Sequence, residues 1–126
     1  MNKQDRELLL RDLCARTPYK PKINVDDIGL FIPTLKYIDG ITCHFYECSW
    51  TKFIDEIKPY LRPMSSMTEE ERIFYNNAEL DGEFGYNPYF KIPAIDTIDW
   101  LNAHHFDYRD LISKGLALEA PKDIYK

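Results

Sequence analysis

Glycine-rich phosphate loops, serine elbows, zinc-finger spacings and long apolar runs are all missing from this sequence, and each absence removes a class of function. The five glycines are scattered, so no glycine-rich turn opens a helix to cradle a nucleotide phosphate. No G-x-S-x-G turn presents a hydrolase serine. No apolar stretch approaches the roughly 18 residues needed to cross a bilayer, and the opening MNKQDRELLLRD carries charge where a secretory leader would be uninterrupted. No membrane association is therefore expected, and the expected compartment is the cytoplasm. Cysteine is scarce as well: three residues, an odd number, fit reduced and separate thiols better than a disulfide framework. Positive charge is in deficit, with 16 Lys and Arg against 21 Asp and Glu and a net charge of -5. Nucleic-acid binding draws most of its strength from Lys and Arg neutralising phosphates. Lys20 and Lys22 are followed by Asp26 and Asp27, and Arg62 by Glu69, Glu70 and Glu71, so direct nucleic-acid binding is not expected.

What is present reads as one α+β domain over residues 1–126. A chain of 126 residues buries about two thirds of the surface it exposes when unfolded. The apolar share of 44% and charged share of 29% are ordinary for a folded protein, while 14% aromatic, including nine tyrosines, is high. Asn2 is placed to cap a first helix, with Asp5 at its third position and Leu9, Leu10, Leu13 and Cys14 as the apolar stripe, ended by Thr17-Pro18. From Lys22 to about Cys48 the pattern changes to short β-branched and aromatic runs, which predicts a small antiparallel sheet of three or four strands. Asp39-Gly40 between Leu35–Ile38 and Ile41–Tyr46 reads as a two-residue hairpin, with Ile41, Cys43 and Phe45 on the core face. The sheet fits an SH3-like barrel or, as the alternative, an open three-stranded meander. Thr51–Leu61 fits either a short helix or a last strand. Thr68-Glu69-Glu70-Glu71 starts a helix to about Leu80, stopped by Asp81-Gly82. Asp96 or Thr97 can cap another through His104, and Asp107 a further one over Tyr108–Lys114, with Gly115 in the left-handed terminal position.

Three stretches, LLLRDLCAR at Leu8–Arg16, KPYLRPMSSMTEEE at Lys58–Glu71 and LNAHHFDYRDLISKGLALEAPKDIY at Leu101–Tyr125, carry a resemblance. They look like the signature segments of a family of small uncharacterised proteins from Bacteroides-type gut bacteria and their phages or integrated mobile elements. That family often has glycine where Asp110 stands here and varies over Lys20–Ser49. The resemblance implies a setting, an accessory or host-interaction protein of a mobile element, and no activity, cofactor or catalytic residue.

Only one segment offers candidate chemistry. His104, His105 and Asp107 together supply imidazoles and a carboxylate, the ligand types of a zinc or iron site, and a metal-assisted hydrolase is one reading. Adjacent helical side chains point about 100° apart, so both rings serve one metal only if the helix ends between them. The competing expectation places His105 on the face of Ile98 and Leu101, His104 at the last turn and Asp107 as the cap of the next helix. His44 and Cys48 share a strand face about 13 Å apart while Cys43 points the other way, so they do not form one metal site. Nothing local activates Cys14, Cys43 or Cys48 as a nucleophile. The helix-turn-helix pattern of Ile98–Leu118 is formally that of a winged-helix DNA reader, but its Arg and Lys are countered by Asp107 and Asp110. The aromatic connection carrying Tyr86, Tyr89 and Phe90, joined by Tyr108, is the expected partner-binding surface, because tyrosines give large contact area at small entropic cost. The functional expectation is a non-enzymatic protein-interaction module with a protein partner and no cofactor. A regulator acting through its acidic surface on nucleic-acid-binding partners is a further reading.

Overall fold

A computed structural model describes residues 1–26, 30–83 and 91–125. Helix α1 (Lys3–Arg16) begins as its sequence dictates, the Asn2 side chain accepting the Asp5 amide at 2.7 Å. Its buried face differs from the expected stripe: Leu9, Asp12, Leu13 and Arg16 are buried, whereas Cys14 is exposed and Leu10 half-buried. The helix is rotated because Asp12 and Arg16 neutralise each other one turn apart, which lets two charged residues take core positions. A 3-10 turn, Thr17–Tyr19, follows and ends at Lys20 with φ +55°.

The β-structure is two small sheets rather than one. Strands β1 (Ile23–Asn24), β2 (Leu35–Asp39), β3 (Thr42–Phe45) and β4 (Lys52–Phe53) precede β5 (Lys58–Leu61), and β2-β3-β4 forms an open antiparallel meander. The segment Thr51–Leu61, undecided between helix and strand, contains β4, a 3-10 turn at Ile54–Glu56 and β5. Strand β5 is central to the second sheet, antiparallel to β1 and parallel to a late strand near the carboxyl end, Leu118–Glu119. A bridge between Lys22 and Thr34, with backbone bonds from Ile23 to Pro33 and Leu35 to Pro21, joins the sheets. No closed barrel forms among the described residues.

The hairpin loop sits one residue later than expected. Asp39 pairs with Thr42, so the loop is Gly40-Ile41, with positive φ (+61°) at Gly40 alone, as in a type II′ turn. The reason is core pairing: Leu35 opposite Phe45 and Ile38 opposite Cys43 bring apolar residues together on the inner face.

Helix α2 (Glu69–Glu83) opens on the expected capping box, Glu71 accepting the Thr68 amide and Thr68 Oγ1 the Glu71 amide. It runs past Asp81-Gly82 instead of stopping there. Helix α3 (Lys91–Ala103) starts before Asp96, with Pro93 in its first turn, where the missing amide hydrogen leaves no bond unmade. No second helix follows. Residues 107–115 form successive turns, interrupted at Asp110 with φ +61°, while Asp107 still accepts the amides of Leu111 (2.8 Å) and Ile112 (2.9 Å). Gly115, φ +75°, ends them with the expected left-handed motif, Leu116 N–H donating to Leu111. Strand β6 (Leu118–Glu119) completes the chain's regular elements. Leu9, Leu13, Ile23, Leu35, Ile54 and Leu61 are sealed in the main core, and Phe106 and Leu101 centre a smaller cluster under α2 and α3.

Candidate functional site

The residues singled out near the carboxyl end are drawn apart by internal partners. Helix α3 ends at Ala103, so both histidines lie in the turn that follows it. His105 takes φ +63° while its amide donates to Asn102 and the Phe106 amide to Leu101, the glycine-type terminus built with histidine. Its ring lies against Tyr125 (3.6 Å between centroids, 10° between planes), not against Ile98, which is 44% exposed. Burial first, then the positive neighbours Arg16, His104 and Arg62, hold its imidazole down to about 4. His104 Nδ1 donates to the Trp100 carbonyl at 2.9 Å and its ring packs on Trp100. Both Asp107 oxygens are taken by backbone amides. Among the described residues no three His, Cys, Asp or Glu side chains come together as a metal-ligand set.

Beneath them lies a charged centre that sequence reasoning missed. Asp12 and Arg16 are fully buried, joined by two hydrogen bonds of 2.7 and 3.1 Å, and Arg16 also donates to the Phe106 carbonyl. Arg109 approaches Asp12 at 3.2 Å without hydrogen-bond alignment. The Tyr108 ring lies 5.2 Å from both guanidinium groups and its hydroxyl donates to Asn102. Tyr108 thus works inside the fold, half-buried between two arginines. Tyr86, Tyr89 and Phe90 lie outside the described residues. Burial pushes the Cys43 thiol up to about 11, far from the thiolate a nucleophile needs.

A cleft of about 690 Å³ runs between Arg62 and the segment carrying Tyr125. Arg62 is held there by both Glu71 oxygens, and the Tyr125 hydroxyl donates to the Tyr60 carbonyl while accepting the Lys22 amide.

The outer face of β2-β3-β4 is different in kind. Leu35 pairs with Phe45 but Tyr37 with His44, so Lys36 is an extra residue, a bulge that turns both Lys36 and Tyr37 outward. Tyr37 stacks on His44 at 4.2 Å, and Phe53 lies opposite Thr42 on the same face. Tyr46, one step beyond β3, has Lys20 and Lys36 at 5.6 and 5.7 Å from its ring. Tyr37, Tyr46 and Phe53 are 47%, 52% and 55% exposed, and Ile41 at the hairpin tip 45%. Single exposed aromatics are ordinary, but strand pairing sets these on one side of the meander around His44 and Thr42 of the central strand. The alternation of Thr42, His44 and Tyr46 announced half of it in the sequence. The bulge that adds Tyr37 and Lys36 had no local signal. Comparison of the chain with protein-family models, with curated proteins and with solved structures finds no match.

Proposed function

We propose that the protein is a non-enzymatic interaction module, an accessory protein of a phage or mobile element, that docks a protein partner on the outer face of β2-β3-β4. The observation that carries this reading is the half-exposure of three aromatic rings, Tyr37, Tyr46 and Phe53, on one side of the meander, with Tyr37 stacked on His44 of the central strand. Covering the exposed halves of three such rings removes on the order of 300 Å² of surface from water, about 7 kcal/mol gross. Association itself costs an estimated 4–15 kcal/mol, so the face fits the centre of a modest, exchangeable interface rather than a permanent one. A catalytic reading has less to rest on, because His104, His105 and Asp107 are each committed to internal partners. The phage or mobile-element setting rests on the three resembling segments, and the cytoplasmic location on the lack of long apolar runs in the sequence. No helix among the described residues is long and apolar enough to cross a bilayer.

The test is comparative affinity capture from a native host with the wild type and a Tyr37→Ala, Phe53→Ala variant. A protein retained by the wild type and lost by the variant, at unchanged melting temperature, is the expected result. The same proteins retained by both chains would place the docking surface elsewhere.

A further inference from the structure

We infer that the partner presents an acidic peptide segment, its carboxylates lying between Lys20 and Lys36 at Tyr46 and its apolar side chains covering Tyr37 and Phe53. This rests on the docking reading above and adds the partner's chemistry. The two lysines differ from their neighbours. Lys22 and Lys52 have carboxylates nearby, Glu47 at 3.9 Å and Glu56 at 4.0 Å, whereas Lys20 and Lys36 form no ion pair among the described residues and share one tyrosine ring. Each is also delivered there by an irregular backbone feature. Lys20 sits at φ +55°, a conformation that glycine or asparagine adopts with less strain, and Lys36 is the bulge residue of β2. Two like charges thus stand at one edge of the aromatic face without an ion-pair partner among the described residues. An acid, Asp39, is exposed at the far end of the hairpin, opposite Thr42. From Thr42 to Tyr46 is about 13 Å of strand, the reach of a four-residue extended peptide. A bound segment therefore finds cations at one end, rings between and an acid at the other, which fixes both its charge and its direction.

Nucleic acid has the complementary sign too, but the numbers favour a peptide. Strong phosphate binding uses about 6–10 cationic contacts, and two lysines on a chain of net charge -5 fall far short for a polyphosphate. One or two carboxylates need only the local pair, because charges farther than about 8–10 Å are screened at physiological salt.

The experiment selects peptides from a displayed random dodecapeptide library on the full chain and measures their affinity by fluorescence anisotropy. Expected are sequences rich in Asp or Glu with Leu or aromatic residues. Their affinity should fall with salt and drop about tenfold in a Lys20→Asn, Lys36→Gln variant, asparagine being tolerant of the left-handed backbone. Uncharged or basic peptides, or acidic ones indifferent to the lysine variant, overturn the acidic partner; if these are still lost with Tyr37→Ala, Phe53→Ala, the docking face itself stands. Peptides that bind the aromatic variant as tightly as the wild type, or no enriched peptides at all, overturn both readings. An oligodeoxythymidylate dodecamer that outcompetes the peptides and depends on the two lysines overturns the acidic peptide in favour of nucleic acid.

Discussion

Acidification should destabilise this protein through one residue, His105. Its side chain is 8% exposed, stacked on Tyr125, with Nδ1 lacking a hydrogen-bond partner among the described residues. Burial and the charges of Arg16, His104 and Arg62 hold the folded-state pKa at about 4, against 6.5 for an ordinary histidine. The folded state thus resists the proton that the unfolded chain takes up. Stability is complete above the unfolded value and declines as pH falls from 6.5 towards about 4. The gap is worth about 3 kcal/mol when fully developed, of which about 2 kcal/mol is already lost at pH 5. Glu71 contributes little in that window: its pairing with Arg62 holds it at about 2, so its share is lost only below its ordinary 4.5. Urea denaturation at neutral pH and at pH 5 measures the loss, and a His105→Asn variant, which tolerates left-handed backbone and does not titrate there, isolates it. The wild type should lose about 2 kcal/mol more than the variant between the two conditions. Equal losses, or an NMR titration of His105 near its ordinary value, would refute the buried neutral imidazole.

Two further substitutions test the interior. Asp12→Ala strands the Arg16 guanidinium in the core with only the Phe106 carbonyl, and should cost about 3–5 kcal/mol in chemical denaturation; a cost below about 1 kcal/mol, typical of exposed pairs, would mean that the pair is solvated. Asp110→Gly relieves a left-handed residue whose side chain is exposed, and should stabilise by up to about 1 kcal/mol, visible as a rise of a few degrees in melting temperature. A fall would mean that the Asp110 side chain contributes more than the backbone strain removes.

Signals that act within one turn of chain were legible in the sequence. The Asn2 cap, the Thr68–Glu71 capping box, the glycine at 115 and two of the three expected core-face residues, Cys43 and Phe45, appear where their local chemistry puts them, whereas Ile41 is exposed because the shifted loop takes it out of the strand. Errors arose where a distant partner decides. The burial of Asp12 and Arg16 had no signal in the stripe of Leu9, Leu10, Leu13 and Cys14, because the carbonyl and arginine that complete it lie some ninety residues away, at Phe106 and Arg109. The helix expected over Tyr108–Lys114 is unwound into turns because Asp107 spends its carboxylate on Leu111 and Ile112 and Asp110 adopts positive φ. The candidate surface was half legible, since alternation showed His44 and Tyr46 on one face. The bulge at Lys36 was hidden, because register is a property of two strands together.

The amino-acid sequence alone determined the α+β class, most helix starts, the hairpin and the acidic balance, because capping, turn conformation and net charge depend on neighbours in the chain. Only the tertiary structure decided that two charged residues of α1 are core, that β6 returns parallel to β5, and that Lys20, Lys36, Tyr37, Tyr46 and Phe53 share one face. Each of those outcomes balances desolvation against a partner supplied by another element, and that balance exists only once the elements have met.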